Sequence, residues 1–282
     1  MSSTFWQTSR FRIDLSRPRV MGIVNITPDS FSDGGRLTNA QAAIAHCGRL
    51  VEEGADLLDL GGESSRPGAA PLPVEEEQAR LLPVLREALK LGVPVSVDTY
   101  KPETMRAALD LGADIVNDIY ALRWPGAVEA VAAHPNCGVC LMHMQGEPES
   151  MQQRPIYGDV IDEVSRFLSD RAELLRRKGV QAERITLDPG IGFGKTVEHN
   201  VALLARQREL LSLGYPLLLG WSRKSSLGTL TGRPVEQRLA ASVAAALAAA
   251  QLGAKVLRVH DVAATIDALQ IGEAAGLLPR SA

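Results

Sequence analysis

Residues 20–35 read V-M-G-I-V-N-I-T-P-D-S-F-S-D-G-G, an apolar run followed by a polar loop. Residues 20–26 are mostly apolar or β-branched, which predicts a short strand buried on both faces. The strand delivers Asn25 and Thr27 at its tip, and the loop after it is rich in serine and aspartate before two glycines. Rigid strands that lead into such loops commonly present functional groups. We therefore expect part of the functional site at this point.

The composition is that of a globular protein with a large core. Of the 282 residues, 45% are hydrophobic and 22% are charged, and the formal net charge is -3. This balance argues against a nucleic-acid or anionic-membrane partner, because both usually need a basic surface. Three cysteines provide no disulfide framework, the first residues lack a signal-peptide pattern, and the alanine-rich run at 240–252 is too short to span a bilayer. We therefore expect a cytoplasmic chain without a membrane segment.

Strand-like and helix-like patterns alternate eight times from residue 20 onward. The predicted strands span residues 20–26, 57–61, 95–98, 115–118, 139–143, 185–188, 217–220 and 256–260. The predicted helices span residues 39–53, 74–91, 102–111, 127–133, 160–178, 197–211, 237–252 and 263–275. Eight short strands that are apolar on both faces favour an α/β fold, a single closed (β/α)8 TIM barrel. We expect residues 1–19 to form an N-terminal hairpin that closes the bottom of the barrel, and residues 20–282 to form the barrel domain.

Polar residues end these strands, and in a barrel the carboxyl ends of the strands meet at one mouth. They are Asn25, Ser65 with Arg66, Asp98, Asn117, His143, Asp188, Ser222 with Lys224, and Arg258 with His260. Asp98 or Asp188 alone fits a cap of the following turn or helix equally well. Two carboxylates together with the Asn117 amide instead suit a flat heterocycle that has several N–H donors and ring-nitrogen acceptors.

Cations near the same mouth suit an anionic group. Lys224 and Arg258 either pair with the carboxylates or are solvated. Arg66 lies in the loop G-G-E-S-S-R-P-G, where it is either an anion ligand or a surface arginine. Phosphate often binds near the seventh and eighth strands of such barrels. The strand ends therefore indicate an anion site as well.

Three further motifs carry less weight. The segment P-G-I-G-F-G-K-T at 189–196 resembles a nucleotide-binding P-loop, but a proline stands at 189, where that motif needs glycine. Cys137 and Cys140 have C-x-x-C spacing, but no second pair accompanies them, and residues three apart in a strand point to opposite faces. His143 fits a hydrogen-bonded core position at least as well as a catalytic base.

Eight motifs, taken in order, strongly resemble those of dihydropteroate synthases. They are N-I-T-P-D-S-F-S-D-G-G from residue 25, G-G-E-S-S-R-P-G-A from 61, S-V-D-T from 96, N-D-I from 117, L-M-H-M-Q-G from 141, D-P-G-I-G-F-G-K from 188, S-R-K-S from 222 and R-V-H-D from 258. The resemblance covers nearly the whole chain from residue 20. It implies a transferase of folate biosynthesis that joins 6-hydroxymethyl-7,8-dihydropterin diphosphate to p-aminobenzoate, making 7,8-dihydropteroate and releasing pyrophosphate.

The resemblance also implies roles for single residues. Those of the pterin site are Asp98, Asn117, Asp188 and Lys224, with Arg258 stacking over the ring. Those of the pyrophosphate site are Asn25, Arg66, Arg258 and His260. Those around p-aminobenzoate are Ser65, Arg66, Pro67, Phe193, Lys224 and Ser225. Those expected to be catalytic are Asp98, Lys224, Arg66 and Asn25.

Three further properties follow from the same resemblance. Asn25 would ligate a Mg²⁺ ion that is held mainly by the diphosphate, and Phe31 and Asp33 would lie on a mobile first loop. The reaction would be dissociative, with a carbocation-like methylene group on the pterin. A homodimer is implied as well, which we place at late helices such as that over 237–252.

One motif departs from the family, and two other functions remain open. The second loop reads E-S-S-R-P where the family more usually has E-S-T-R-P, so Ser65 keeps the hydroxyl but lacks a methyl group. We expect activity to survive this change, with any effect falling on affinity for p-aminobenzoate or its sulfonamide mimics. The first alternative is a pterin-dependent methyltransferase that serves a corrinoid partner, against which the second loop and S-R-K-S argue. The second is a catalytically silent paralogue, against which intact Asn25, Asp98, Arg66 and Lys224 argue.

Overall fold

The computed structural model describes residues 4–26, 36–64 and 68–279. Its strands are β1 (Phe5–Gln7), β2 (Arg12–Asp14), β3 (Arg19–Asn25), β4 (Leu57–Gly61), β5 (Val95–Asp98), β6 (Ile115–Asp118), β7 (Gly138–Met142), β8 (Ile185–Asp188), β9 (Leu218–Leu219) and β10 (Val256–Val259). Its α-helices are α1 (Arg36–Glu52), α2 (Val74–Ala88), α3 (Pro102–Leu111), α4 (Ala127–Ala133), α5 (Val160–Arg177), α6 (Val197–Ala205), α7 (Gln207–Leu210), α8 (Ser225–Thr231), α9 (Leu239–Gln251) and α10 (Val262–Ala274).

Strands β3 to β10 form a parallel barrel. Their order is β8-β7-β6-β5-β4-β3-β10-β9, and an isolated parallel bridge between Leu187 and Leu217 joins the two edges of this sheet. Every residue of β4, β6, β7 and β8 is buried, because the helices cover the outside and side chains fill the inside. The predicted (β/α)8 TIM barrel is confirmed.

The N-terminal hairpin closes the bottom of this barrel, as the sequence predicted. Strands β1 and β2 pair antiparallel, and the Trp6 side chain is fully buried, with its indole nitrogen donating to the Arg184 carbonyl at 2.9 Å. The hairpin packs on residues mostly near the N-terminal ends of barrel strands: Met21, Leu57, Ile115, Cys140, Leu218 and Val256. The division of the chain into two domains at residue 19 stays a prediction.

The helix boundaries follow local sequence signals in most units. Helix α3 begins with Pro102 and ends before Gly112, whose φ of 105° is readily adopted only by glycine. Helix α5 begins after Asp159, whose side chain accepts hydrogen bonds from the next backbone N–H groups. The starts of α3 and α5 lie on the side of the mouth, whereas Gly112 ends α3 at the opposite end of the barrel.

Two helical predictions were wrong in detail. The helix expected over 197–211 is divided into α6 and α7, because the backbone at Arg206 leaves the helical conformation at φ -104° and ψ 16°. Helix α8 was not expected, since its sequence S-S-L-G-T-L-T is poor in strong helix formers. It nevertheless forms directly after Lys224 and so determines where that lysine lies.

Among the described residues, none of the helices combines the length and the apolar character needed to cross a bilayer.

Candidate active site

The strand register brings three of the predicted site residues into one layer of the barrel. Asn25 of β3 is paired with Gly61 of β4, Gly61 with Asp98 of β5, and Asp98 with Asn117 of β6. Each of the three polar residues lies at or next to the C-terminal end of its strand, where a parallel barrel presents its site.

An ion-pair network connects this layer to β10. The Arg258 guanidinium donates to the Asp98 carboxylate at 2.8 Å and to the Asp59 carboxylate at 2.6 Å. The Asn117 amide also donates to Asp59, at 3.2 Å. Charge-assisted pairs of this kind fix both partners in orientation. Arg258 therefore binds Asp98 directly, and Asp59 joins Arg258 to Asn117.

Asp59 was not among the predicted site residues. It lies inside β4 rather than at its end, its carboxylate is fully buried, and one carboxylate oxygen has no hydrogen-bond partner among the described residues. A signal was present, because a charged residue in the apolar run L-L-D-L-G must find a buried cation. Arg258, in the run V-L-R-V of β10, is that cation.

Burial makes Asp98 a weaker acid than a solvated aspartate. Removal from water raises the pKa of Asp98 to about 7; the Arg258 charge opposes this rise, and the Asp59 charge adds to it. Burial and the Asp59 charge thus disfavour the Asp98 anion, and Arg258, which pairs with it, favours it.

Asp188 and Lys224 form the opposite side of the mouth. One oxygen of Asp188 accepts from the Gly190 N–H at 2.7 Å, as expected for a residue that caps a turn. Burial raises the pKa of Asp188 to about 6, against the effects of this hydrogen bond and of Lys224. Burial, aided by Arg258, lowers the pKa of Lys224 to about 8, whereas the two aspartates Asp188 and Asp98 oppose the change. Asp188 therefore caps the turn after β8 and also lies at the mouth, so the two interpretations of this residue do not exclude each other.

Lys224 reaches the mouth because of the turn before it. Arg223 has a left-handed φ of 58°, and its guanidinium turns outward to pair with Asp261 at 2.6 Å. Lys224 follows as the cap of α8, and its ammonium lies 4.1 Å from the centre of the Phe193 ring. Phe193 and Lys224, both predicted around p-aminobenzoate, are thus in contact, while Ser225 is exposed at the start of α8.

His260 lies beside the same turn but is uncharged. Its Nδ1 is 3.0 Å from the Ser222 hydroxyl, and its backbone N–H donates to that hydroxyl at 3.1 Å. Burial, together with Arg223 and Arg258, lowers the pKa of His260 to about 3. A neutral imidazole can still donate one N–H to an anion, so the predicted place of His260 in a pyrophosphate site does not need a charged ring.

A second ionic network supports the segment after β4. Lys101 donates to Glu63 and lies 3.4 Å from Glu77, while the Tyr100 hydroxyl donates to Glu63 at 2.9 Å. Thr104 donates to Glu77 at 2.8 Å. No local sequence pattern indicates this network, because its members are spread over the β4–α2 loop, α2, the β5–α3 connection and α3. It anchors the first residues of the loop that continues to Arg66.

An apolar cluster completes the mouth on the β5–β7 side. It consists of Tyr100, Ile119, Met142, Met144 and Met151, with Tyr120 and Phe193 packed against it. Met142 is paired in register with Asp188. Flat surfaces of this kind beside hydrogen-bonding groups suit a planar ligand.

Several predicted residues lie outside the described parts of the chain. They are Ser65, Arg66 and Pro67 of the second loop, and Thr27, Phe31 and Asp33 of the first. In the described ranges, no three His, Cys, Asp or Glu side chains are grouped so that they could hold a metal ion. The ligand roles of the described site residues stay predictions, since the geometry shows proximity and not occupancy.

The motifs that carried less weight have structural positions of their own. The Cys137 thiol accepts from Arg184 at 3.2 Å and Cys140 lies inside the barrel; burial raises the pKa of both thiols. His143 is buried and hydrogen-bonded to Lys195, so it occupies a core position. Lys195, the lysine of the P-loop-like segment, is itself buried against backbone carbonyls.

Comparison with known proteins shows the family of this chain. Residues 21–260 match the family described as pterin binding enzyme. The chain is 53% identical to dihydropteroate synthase of Neisseria meningitidis serogroup C, covering 98% of this chain and 99% of that protein. A Xanthomonas albilineans dihydropteroate synthase solved with 4-aminobenzoic acid superposes with a TM-score of 0.92 at 53% identity, covering 98% of this chain and 99% of that one. A Burkholderia cenocepacia enzyme complexed with 7,8-dihydropteroate gives a TM-score of 0.88 at 49% identity, covering 98% of both chains.

The barrel and its polar mouth therefore define a pterin-binding enzyme. Within that class, identity of this level over nearly the full length is decisive. The chain belongs to the dihydropteroate synthase family and is a transferase.

Proposed function

We propose that this chain condenses 6-hydroxymethyl-7,8-dihydropterin diphosphate with p-aminobenzoate to give 7,8-dihydropteroate and pyrophosphate. The observation that carries the proposal is the network of Asp98, Asp59, Arg258 and Asn117 opposite Asp188 and Lys224. Carboxylates accept from the N–H groups of a pterin, and an amide and an ammonium donate to its ring nitrogens and carbonyl. Relatives solved with 4-aminobenzoic acid and with 7,8-dihydropteroate support the choice of substrates.

The pterin would lie between the two sides of the mouth. Asp98, Asn117 and Asp188 would bind the edge of the pterin ring, and Lys224 would donate to it from the start of α8. Arg258 would stack on the ring, with its guanidinium plane fixed by Asp59 and Asp98. The apolar cluster beside Met142 would exclude water from the other side of the ring.

The diphosphate would extend toward β3 and β10. Asn25, Arg66, Arg258 and His260 would bind it, with His260 donating from its neutral ring. A carboxamide oxygen is a hard ligand that suits Mg²⁺, and the described residues supply no acidic cluster to hold that ion alone. Asn25 would therefore contribute one protein ligand to a Mg²⁺ ion that is held mainly by the diphosphate oxygens and helps to neutralise their charge.

The chemical step would begin with cleavage of the bond between the exocyclic methylene carbon and the diphosphate oxygen, and the electron pair would leave with pyrophosphate. The methylene carbon gains positive charge, which the Asp98 anion stabilises from a water-poor site. The amine nitrogen of p-aminobenzoate then forms the new C–N bond and releases a proton. Phe193, Lys224 and Ser225, with Ser65, Arg66 and Pro67, would hold the second substrate for this attack.

The same chain would act as a homodimer in the cytoplasm. Several of its exposed large apolar side chains lie in the last quarter of the described sequence, among them Leu230, Leu239, Ile271 and Leu277. The alanines of α9, including Ala245, Ala246, Ala249 and Ala250, are instead buried within the subunit. The dimer contact would therefore involve α8, α10 and the start of α9 rather than an alanine face. Sedimentation as a monomer at micromolar concentration would contradict it.

The decisive assay is pyrophosphate release from the dihydropterin diphosphate with Mg²⁺, with and without p-aminobenzoate, and with the product identified by mass. Release that is coupled to formation of dihydropteroate supports the proposal. Pterin binding without this product would instead favour the silent paralogue, or the methyltransferase if a methyl group is transferred.

The role of Asp98 is tested by Asp98→Asn in the same assay. We expect kcat to fall by about 100-fold or more, in line with the loss of one transition-state contact. Pterin affinity, measured by calorimetry, should change far less, because the amide still hydrogen-bonds. Asp110→Asn, on the exposed face of α3, is the matched control. Equal losses of turnover and binding would refute the carbocation role.

A further inference from the structure

The loop between β8 and α6, residues 189–196, is folded around a buried lysine. The Lys195 side-chain nitrogen has acceptors on two segments. The loop supplies the Gly190 and Phe193 carbonyls, each at 3.0 Å, and the residue after β7 supplies His143 Nδ1 at 2.9 Å and the His143 carbonyl at 3.4 Å. With only 3% of the residue exposed, the lysine donates to its own loop and to the end of β7 rather than to solvent.

The imidazole of His143 serves as an acceptor in this arrangement. Burial lowers the pKa of His143, and the neighbouring Lys195 lowers it further, so the ring is neutral. A neutral ring whose Nδ1 accepts carries its proton on Nε2. Burial also lowers the pKa of Lys195 to about 7. The N–H groups of Lys195 and the Nδ1 lone pair of the neutral imidazole are thus complementary.

Glycines allow the loop to lie directly on the backbone after β7. Gly190 has a φ of +71°, and a Cβ atom there would lie 1.9 Å from the His143 carbonyl oxygen. Gly194 has a φ of +60°, and a Cβ atom there would lie 2.3 Å from the Gln145 carbonyl oxygen. At its far end the loop is held by the Tyr157 hydroxyl, which donates to the Gly194 carbonyl at 2.7 Å.

The outer surface of the loop contacts the residues predicted to hold the second substrate. The Phe193 ring lies 4.1 Å from the Lys224 ammonium. A Cβ atom on Gly192 would lie 3.1 Å from Lys224 Cδ, so the lysine stem runs directly along the loop. Lys195 thus holds the loop against which the side chain of Lys224 lies.

We propose that Lys195 is a positioning residue for the p-aminobenzoate pocket, holding Phe193 and the stem of Lys224 in place through the carbonyls of residues 190 and 193. This inference rests on the proposed function for the identity of the second substrate. It makes no use of Lys195 as a ligand of either substrate. Of the predicted pterin residues, Asp98 and Asn117 lie on β5 and β6, whereas Asp188 and Lys224 adjoin the loop and belong to both sites.

The test is Lys195→Met, which keeps a four-atom unbranched stem and removes the donor nitrogen. We expect the KM for p-aminobenzoate to rise about tenfold or more, because several hydrogen bonds of one buried group are lost together. The KM for the dihydropterin diphosphate should rise less, because Asp98, Asn117 and Arg258 do not belong to the loop that Lys195 holds. Lys178→Met, an exposed lysine at the end of α5, is the matched control. A purely structural defect would move both KM values together or lower only the fraction of active enzyme.

A milder variant covers the case in which Lys195→Met does not fold. Tyr157→Phe removes one neutral hydrogen bond from the same loop, so we expect a rise of about threefold in the KM for p-aminobenzoate alone. A readout without substrates is amide hydrogen exchange of residues 189–196, which should be faster in Lys195→Met than in the wild type.

The outcomes separate the two proposals. A wild-type enzyme that forms no dihydropteroate refutes the proposed function and the p-aminobenzoate assignment with it. An active wild type whose Lys195 and Tyr157 variants leave the KM for p-aminobenzoate unchanged, or raise both KM values equally, overturns the positioning role. Unchanged exchange in residues 189–196 of Lys195→Met shows that the lysine does not hold the loop, and overturns the inference whatever the activity.

Discussion

Asp59→Asn tests whether the buried network organises the site. The Asp59 carboxylate accepts from Arg258 at 2.6 Å and from Asn117 at 3.2 Å, and it is fully buried. Asparagine has the same shape and keeps an acceptor oxygen, so the change removes mainly the charge. A buried charge-assisted hydrogen bond contributes about 1.5–3 kcal/mol. Arg258 keeps Asp98 at 2.8 Å, so its charge is not left unpaired.

The expected loss of unfolding free energy is therefore about 2–3 kcal/mol, below the roughly 3–5 kcal/mol that a stranded buried charge costs. Urea unfolding measures it. Glu87→Gln is the matched control, because Glu87 pairs with Lys90 at 2.7 Å on the surface, where such pairs contribute less than about 1 kcal/mol.

The same variant makes a signed prediction for the pH dependence of activity. Asp59 is one of the charges that raise the pKa of Asp98 to about 7. Removing it lowers that pKa, so the Asp98 anion persists to lower pH. The acidic limb of kcat/KM should therefore move to lower pH in Asp59→Asn. Unchanged stability together with an unmoved acidic limb would refute the view that Asp59 organises Asp98 and Arg258.

Two further predictions concern the mouth. Burial lowers the pKa of Lys224 to about 8, so the wild-type activity should fall above that pH as the ammonium loses its proton. In pH–rate profiles, Lys224→Arg should move this alkaline limb to higher pH whatever its absolute rate, because arginine stays charged. Lys90→Arg is the surface control. In urea unfolding, Gly190→Ala should lower the unfolding free energy by about 3 kcal/mol or more, because its Cβ would meet the His143 carbonyl at 1.9 Å. Gly179→Ala, at a φ of +88° with open space around it, should lower it by about 1–2 kcal/mol. Equal losses would show that the backbone conformation alone matters.

The barrel could be predicted because its signals are local. Each strand is a short apolar run followed by a helix with its own start or stop signal, and eight such units in one chain favour closure. The boundaries of β4, β5, β6 and β8 agree with those expected from sequence. Helix α8 could not be predicted in this way, since it depends on the left-handed turn at Arg223 and on packing rather than on strong helix formers.

The candidate site was predictable only where it follows the strand ends. Asp98, Asn117, Asp188 and Arg258 lie at or next to such ends, and the strand register alone brings Asp98 beside Asn117. Asp59 lies two residues before the end of β4, and its partner Arg258 is 199 residues away in sequence. Only closure of the barrel brings the two together, so no local pattern could pair them.

The segment at 189–196 shows how one pattern serves two purposes. In a phosphate-binding loop, glycines open the backbone so that its N–H groups and a lysine face an anion. Here the glycines at 190 and 194 instead let the loop approach the backbone after β7, and Lys195 turns inward to the carbonyls of its own loop. The sequence spacing argued against phosphate binding but did not indicate that the loop packs on the backbone after β7. The direction of the lysine depends on which surface the glycines contact, and the sequence does not show that surface. A buried lysine that donates to the carbonyls of a loop can hold that loop in one conformation. In this conformation the ring of Phe193 lies at the mouth, beside Lys224.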